Sequence, residues 1–132
     1  MTEPPVTAPP VVALAATVLG APDARSLAEF YRRLLGWEVV DDQPGWVVLR
    51  PADGGSGLSF QTEEGHVPPV WPPAPGQQQM MMHLDLRVAD LDAASRYAEA
   101  AGARLAEYQP QDDVRVHLDP AGHPFCLFEP HP

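Results

Sequence analysis

Hydrophobic positions in this chain follow two rhythms, and the same order of rhythms occurs twice. Between Asp23 and Gly36, the residues Leu27, Phe30, Tyr31, Leu34 and Leu35 recur at helical spacing and so share one face. Asp23 is placed to cap the start of that helix, and Gly36 to take the left-handed conformation after its end. Leu91, Ala94, Ala98 and Ala101 form a second stripe, bracketed in the same way by Asp90 and Gly102. Around both helices the pattern shortens to strand-length runs separated by turn residues. "VVALAATVLG" precedes the first helix and "MMMHLDLRV" the second. "WEVV", "GWVVLRP" and "GLSFQTE" follow the first; "ARLAEYQ", "VRVHLDP" and "PFCLFEP" follow the second.

Each half therefore reads strand, helix, strand, strand, strand. The repeat, at about 67 residues, is too long and too few in copies for a solenoid. Two half-domains whose sheets pair about a pseudo-twofold axis explain it better. Aligning the copies sets Asp23 against Asp90, Ala16 against His83 and Gln61 against Glu129. The predicted organisation is a disordered Pro-rich tail over 1–10, a first module over 11–62, a linker over 63–79 and a second module over 80–130. Prolines exclude regular helix and inner strand from the linker. Its Trp71 is too costly to leave exposed, so it packs as an anchor or as a wall of a pocket.

Strand alternation selects the candidate chemistry. His83, Asp85 and Arg87 share one face, and Leu84 and Leu86 the other. Glu129 is grouped with Phe125 and Leu127, and Gln61 with Ser59, so that His83, Gln61 and Glu129 are expected to point into one groove. Trp46, Trp71 and Phe125 are the expected apolar walls, and His117 lines the groove or sits exposed on its strand. Three readings of His83 and Glu129 stay open. They can be a polar pair satisfied by each other, ligands of a weak divalent metal site with Gln61, or a metal-free acid–base pair in which Glu129 orients His83. Cys126 is expected in the helical layer, and His123 in a turn.

Composition narrows the partners. The 132 residues carry 18 Asp and Glu against 8 basic residues, a net charge of −10. No basic patch is available for phosphates, which excludes nucleic acid as a natural partner and leaves a small, cationic molecule open. No apolar run is long enough to span a membrane, and the N-terminus lacks the features of a secretory signal. A single cysteine fits a reducing cytoplasm. The absence of Lys, Asn and Ile points to a GC-rich bacterial genome.

The duplicated unit, with "FYRRLLGW", "HLDLRVADLDAA" and "DPAGHPFCLFE", resembles the vicinal-oxygen-chelate superfamily of glyoxalase I, extradiol dioxygenases and bleomycin-resistance proteins. The resemblance implies an α+β fold of two βαβββ modules, a curved mixed-sheet groove with helices on the outer face, and a homodimer. It implies metal ligands at Ala16, Gln61, His83 and Glu129, of which Ala16 has no donor atom. The implied function is a small-molecule binding protein with an incomplete metal site. The alternative is a metal-dependent lyase, isomerase or dioxygenase for a substrate with vicinal oxygens, with His83 and Glu129 catalytic. No cofactor follows firmly; a divalent metal ion is the one candidate.

Overall fold

The structure, a computed structural model, describes residues 8–130. Most of the expected tail, residues 1–7, lies outside the described residues. The first module runs β1 (Ala16–Ala21), α1 (Ala24–Leu35), β2 (Glu38–Gln43), β3 (Trp46–Arg50) and β4 (Gly57–Thr62). The second runs β5 (Leu84–Arg87), α2 (Leu91–Ala101), β6 (Arg104–Leu105), β7 (Val114–Leu118) and β8 (Pro124–Phe128). Each module makes a four-stranded mixed sheet of identical topology, β1-β4-β3-β2 and β5-β8-β7-β6. The first and last strands of each module pair in parallel and the rest antiparallel. The fold is thus α+β, with two βαβββ modules.

Both helices begin and end as their sequences require. The Asp23 carboxylate accepts from Arg25 N at 3.2 Å, and the Asp90 carboxylate accepts from Ala93 N at 3.1 Å. Gly36 closes α1 with φ at 71°, a region a side chain rarely enters. A second device holds each helix start to its own sheet. Ala24 N donates to Thr62 Oγ1 at 3.0 Å, and Leu91 N donates to Glu129 Oε1 at 2.7 Å. Both bonds span 38 positions, so Thr62, not Gln61, is the counterpart of Glu129. The β1–β4 and β5–β8 registers agree, since they make Ser59 equivalent to Cys126 and Gln61 to Phe128. The β3–β4 hairpin is one residue longer than the β7–β8 hairpin, since Leu49 pairs with Leu58 and His117 with Phe125.

Two strands are shorter than their hydrophobic runs. Val11, Val12 and Leu14 are exposed and precede β1, because β4 begins only at Gly57, opposite Ala16. His83 precedes β5 rather than lying in it. Its neighbour across the ladder would be Pro124, which has no N–H to contribute.

One core serves both modules. Leu27, Phe30 and Tyr31 of α1, Leu49, Leu58 and Phe60 of the first sheet, and Phe125 and Leu127 of the second are all buried in it. Tyr31 stands at its centre, stacked on Phe60 at 5.7 Å and edge-on to Phe125 at 6.2 Å. Its hydroxyl donates to Asp119 Oδ2 at 2.8 Å, joining α1 to the β7–β8 turn. His123 Nε2 bonds the Gly20 carbonyl at 2.7 Å, a second tie between the modules.

Candidate functional site

The core fixes which face of each sheet is left for function. Leu84, Leu86, Phe125 and Leu127 pack against the common core, so Asp85, Cys126 and Phe128 face the other way. His83, two residues before Asp85, joins them. Together with Trp71, Val114 and Val116 they line an open groove of about 600 Å³ on the second sheet. Trp71 is held over this groove by its indole N–H, which donates to the Tyr108 carbonyl at 3.1 Å, and by ring contact with Tyr108 at 5.9 Å. It is therefore both anchor and wall. The remaining lining includes Gln111, Asp113 and Glu129. Three carboxylates, Asp85, Asp113 and Glu129, border the groove, and no arginine lines it.

The expected site residues divide. His83, Trp71 and Glu129 meet at this groove. Gln61 and Trp46 are paired neighbours on the first sheet and do not line it; Gln61 donates its amide N–H to Glu63 Oε1 at 2.8 Å. Phe125 is fully buried on the helical side, which corrects its expected place as a groove wall. His117 is also fully buried, neither lining the groove nor exposed. It stacks on Phe125 at 5.5 Å and bonds Ser95 Oγ at 2.8 Å. The parity of β8 is inverted relative to the expectation because Phe125 and Leu127, the larger apolar pair, take the core. Cys126 consequently faces the groove and not the helices.

His83 has a different partner from the one expected. Its Nε2 lies 3.0 Å from Asp85 Oδ1, whereas Glu129 uses Oε1 at the start of α2. Asp85 also bonds the Cys126 thiol, and burial, followed by the charge and hydrogen bond of Asp85, pushes that thiol up to about 11. A ligand atom of each of His83, Asp85 and Cys126 lies within 4.8 Å of the others. The alternation of β5 places His83 beside Asp85 in the sequence alone. The role of Cys126 needs the β5–β8 register.

The four positions that the resemblance implies for a metal do not fit one here. Ala16 offers no donor, Gln61 is bonded to Glu63 on the other sheet, and Glu129 is occupied at a helix N-terminus. What converges is an imidazole, a carboxylate and a thiol on the floor of an acidic groove with an aromatic wall. Such a site can hold a cation, move a proton through the His83–Asp85 pair, or present mixed N, O and S donors. A smaller cavity of about 130 Å³ lies between the modules, where Thr17, Leu19 and Tyr31 meet Met82, His83 and Leu84. His83 borders both spaces.

Residues 16–128 match the family model described as a glyoxalase-like domain. No curated protein matches the chain. Among solved structures, the chain is similar to a glyoxalase/bleomycin resistance protein/dioxygenase family enzyme from Burkholderia phytofirmans PsJN. The TM-score is 0.67 at 19% identity, over 89% of this chain and 98% of that one. It is also similar to a lactoylglutathione lyase from Agrobacterium tumefaciens, with TM-score 0.60 at 22% identity over 92% and 96% of the two chains. A third is an antibiotic-binding protein from Streptomyces sp. CB03234, with TM-score 0.56 at 21% identity over 92% and 98%. These likenesses establish the shared fold. Among the described residues, no helix is long and apolar enough to cross a membrane.

Proposed function

The chain belongs to the glyoxalase-like domain family, and on that premise we propose that it is a binding protein for a small organic cation with an aromatic or apolar body. The observation that carries this reading is the groove itself. It offers a volume of about 600 Å³, Trp71 and Phe128 as ring surfaces, and Asp85, Asp113 and Glu129 as its charged border. An aromatic wall attracts a cation through its ring face, and neighbouring carboxylates hold the charge. The net charge of −10 adds a long-range field that favours the approach of cations over anions. The family's usual ligand positions do not assemble a metal set here, which favours direct binding over metal-mediated chelation of the ligand. The antibiotic-binding neighbour on the same fold is consistent with this use.

Titration calorimetry with a panel of cationic, neutral and anionic aromatic compounds tests the reading. Cationic members bind and anionic ones do not, the affinity survives chelator treatment, and Trp71→Ala weakens it by roughly 10-fold, as expected for loss of a cation–π contact. Equal binding of anionic analogues, or binding that appears only when metal is restored, would count against it.

A further inference from the structure

We propose that His83, Asp85 and Cys126 form a site for one divalent transition metal of the zinc type on the floor of the second-module groove. This set is separate from the four positions implied by the resemblance, sharing only His83 with them, and it does not depend on any organic ligand. The placement comes from the backbone. The β5–β8 ladder sets Asp85 directly beside Cys126, and His83 shares their face. The three ligand atoms already lie within 4.8 Å of one another, with the His83–Asp85 pair at 3.0 Å. Around a tetrahedral zinc with bonds of about 2.0–2.3 Å, donors stand roughly 3.3–3.8 Å apart. A shift of about 1 Å, mostly by the exposed His83 and Asp85 side chains, therefore opens a place for the ion between imidazole and carboxylate.

The donor chemistry chooses the metal. One thiolate, one imidazole and one carboxylate suit Zn(II) and Co(II), whereas Mg(II) and Ca(II) require oxygen donors throughout. Three protein ligands leave a fourth position, and the same three residues line the groove, so that position opens onto it. On binding, the metal–sulfur bond forms as the S–H bond breaks, the proton passes to solvent, and no oxidation state changes. A thiolate–metal signal is therefore diagnostic of ligation by Cys126.

The test is titration of tag-free, reduced, chelator-stripped protein with Co(II) alone. The expected result is saturation at one ion per chain, with the visible bands of four-coordinate Co(II) and a near-ultraviolet thiolate-to-cobalt charge-transfer band. Zn(II) abolishes both by displacement. Cys126→Ser removes the charge-transfer band, and His83→Ala and Asp85→Asn each weaken binding on the order of 100-fold or more, beyond the usual loss for an outer ligand partner. Gln61→Ala, on the first sheet, leaves the affinity unchanged. Circular dichroism verifies that each variant is folded, and Cys126→Ser and Asp85→Asn are close to isosteric. The proposal is overturned by the absence of saturable binding, by a charge-transfer band that survives Cys126→Ser, or by loss of binding in Gln61→Ala. Since no organic compound is present, failure here leaves the ligand-binding reading intact, and the converse holds.

Discussion

At the scale of single residues, His117 carries the clearest consequence of burial. It is excluded from solvent, and desolvation, the largest influence on it, lowers its pKa below the ordinary 6.5. Its Nε2 bonds Ser95 Oγ at 2.8 Å, and a backbone hydrogen bond at Arg115 opposes the effect of burial only in part. The folded protein therefore binds a proton at this position less readily than the unfolded chain does. Stability is unaffected by His117 well above pH 6.5 and falls as the pH drops below that value toward the folded pKa. Urea midpoints measured between pH 5 and 8 should decline on the acid side, and His117→Phe should flatten that decline. An equal slope in the variant would assign the effect to other groups. Sequence alternation could not identify this environment. On β7 the successive residues Val116 and His117 are both buried, so parity alone carries no information there.

At the scale of elements, each helix is tied to the end of the last strand of its own module. Thr62 and Glu129 satisfy the first helical N–H of α1 and α2, donors that have no partner within the helix. Glu129 adds a negative charge at the positive end of α2. Thr62→Val and Glu129→Ala should each cost about 1 kcal/mol in chemical denaturation, in the range of helix-cap losses. Their effects should add, because the two bonds lie in different modules. The same scale explains the shortness of β6. After Leu105 the side chain of Gln109 takes over the ladder, donating to the Ala106 and Val116 carbonyls and accepting from Val116 N, each at 2.8 Å. A hydrophobic run reads as strand, but a side-chain amide that mimics a strand edge leaves no mark in that pattern.

At the scale of the whole molecule, the two modules share one core, which predicts that they unfold together. The Tyr31–Asp119 bond crosses that core, and burial raises the pKa of both groups. Asp119 is also held by Ala121 N and His123 N, at 2.9 Å and 3.0 Å. Tyr31→Phe leaves a buried carboxylate oxygen without its hydroxyl donor and should cost about 1–3 kcal/mol. Unfolding followed by tryptophan emission and by circular dichroism should remain coincident in the variant. A split into two transitions would show that the modules unfold separately.

Sequence alone determined the duplicated order of elements and the helix stripes with their Asp and Gly ends. Those features are local, set by periodicity and by capping chemistry within a few positions of the chain. The candidate site required the tertiary structure, because it is assembled by strand register. Phe125 and Leu127 turn inward to meet Tyr31 and its neighbours, and that choice sends Cys126 outward to Asp85 and His83. The same register spends Glu129 on a helix start and leaves Gln61 on the other sheet. A shift of one residue exchanges the faces of a strand. The difference between a family-type ligand set and the His83–Asp85–Cys126 cluster was therefore decided by packing between modules.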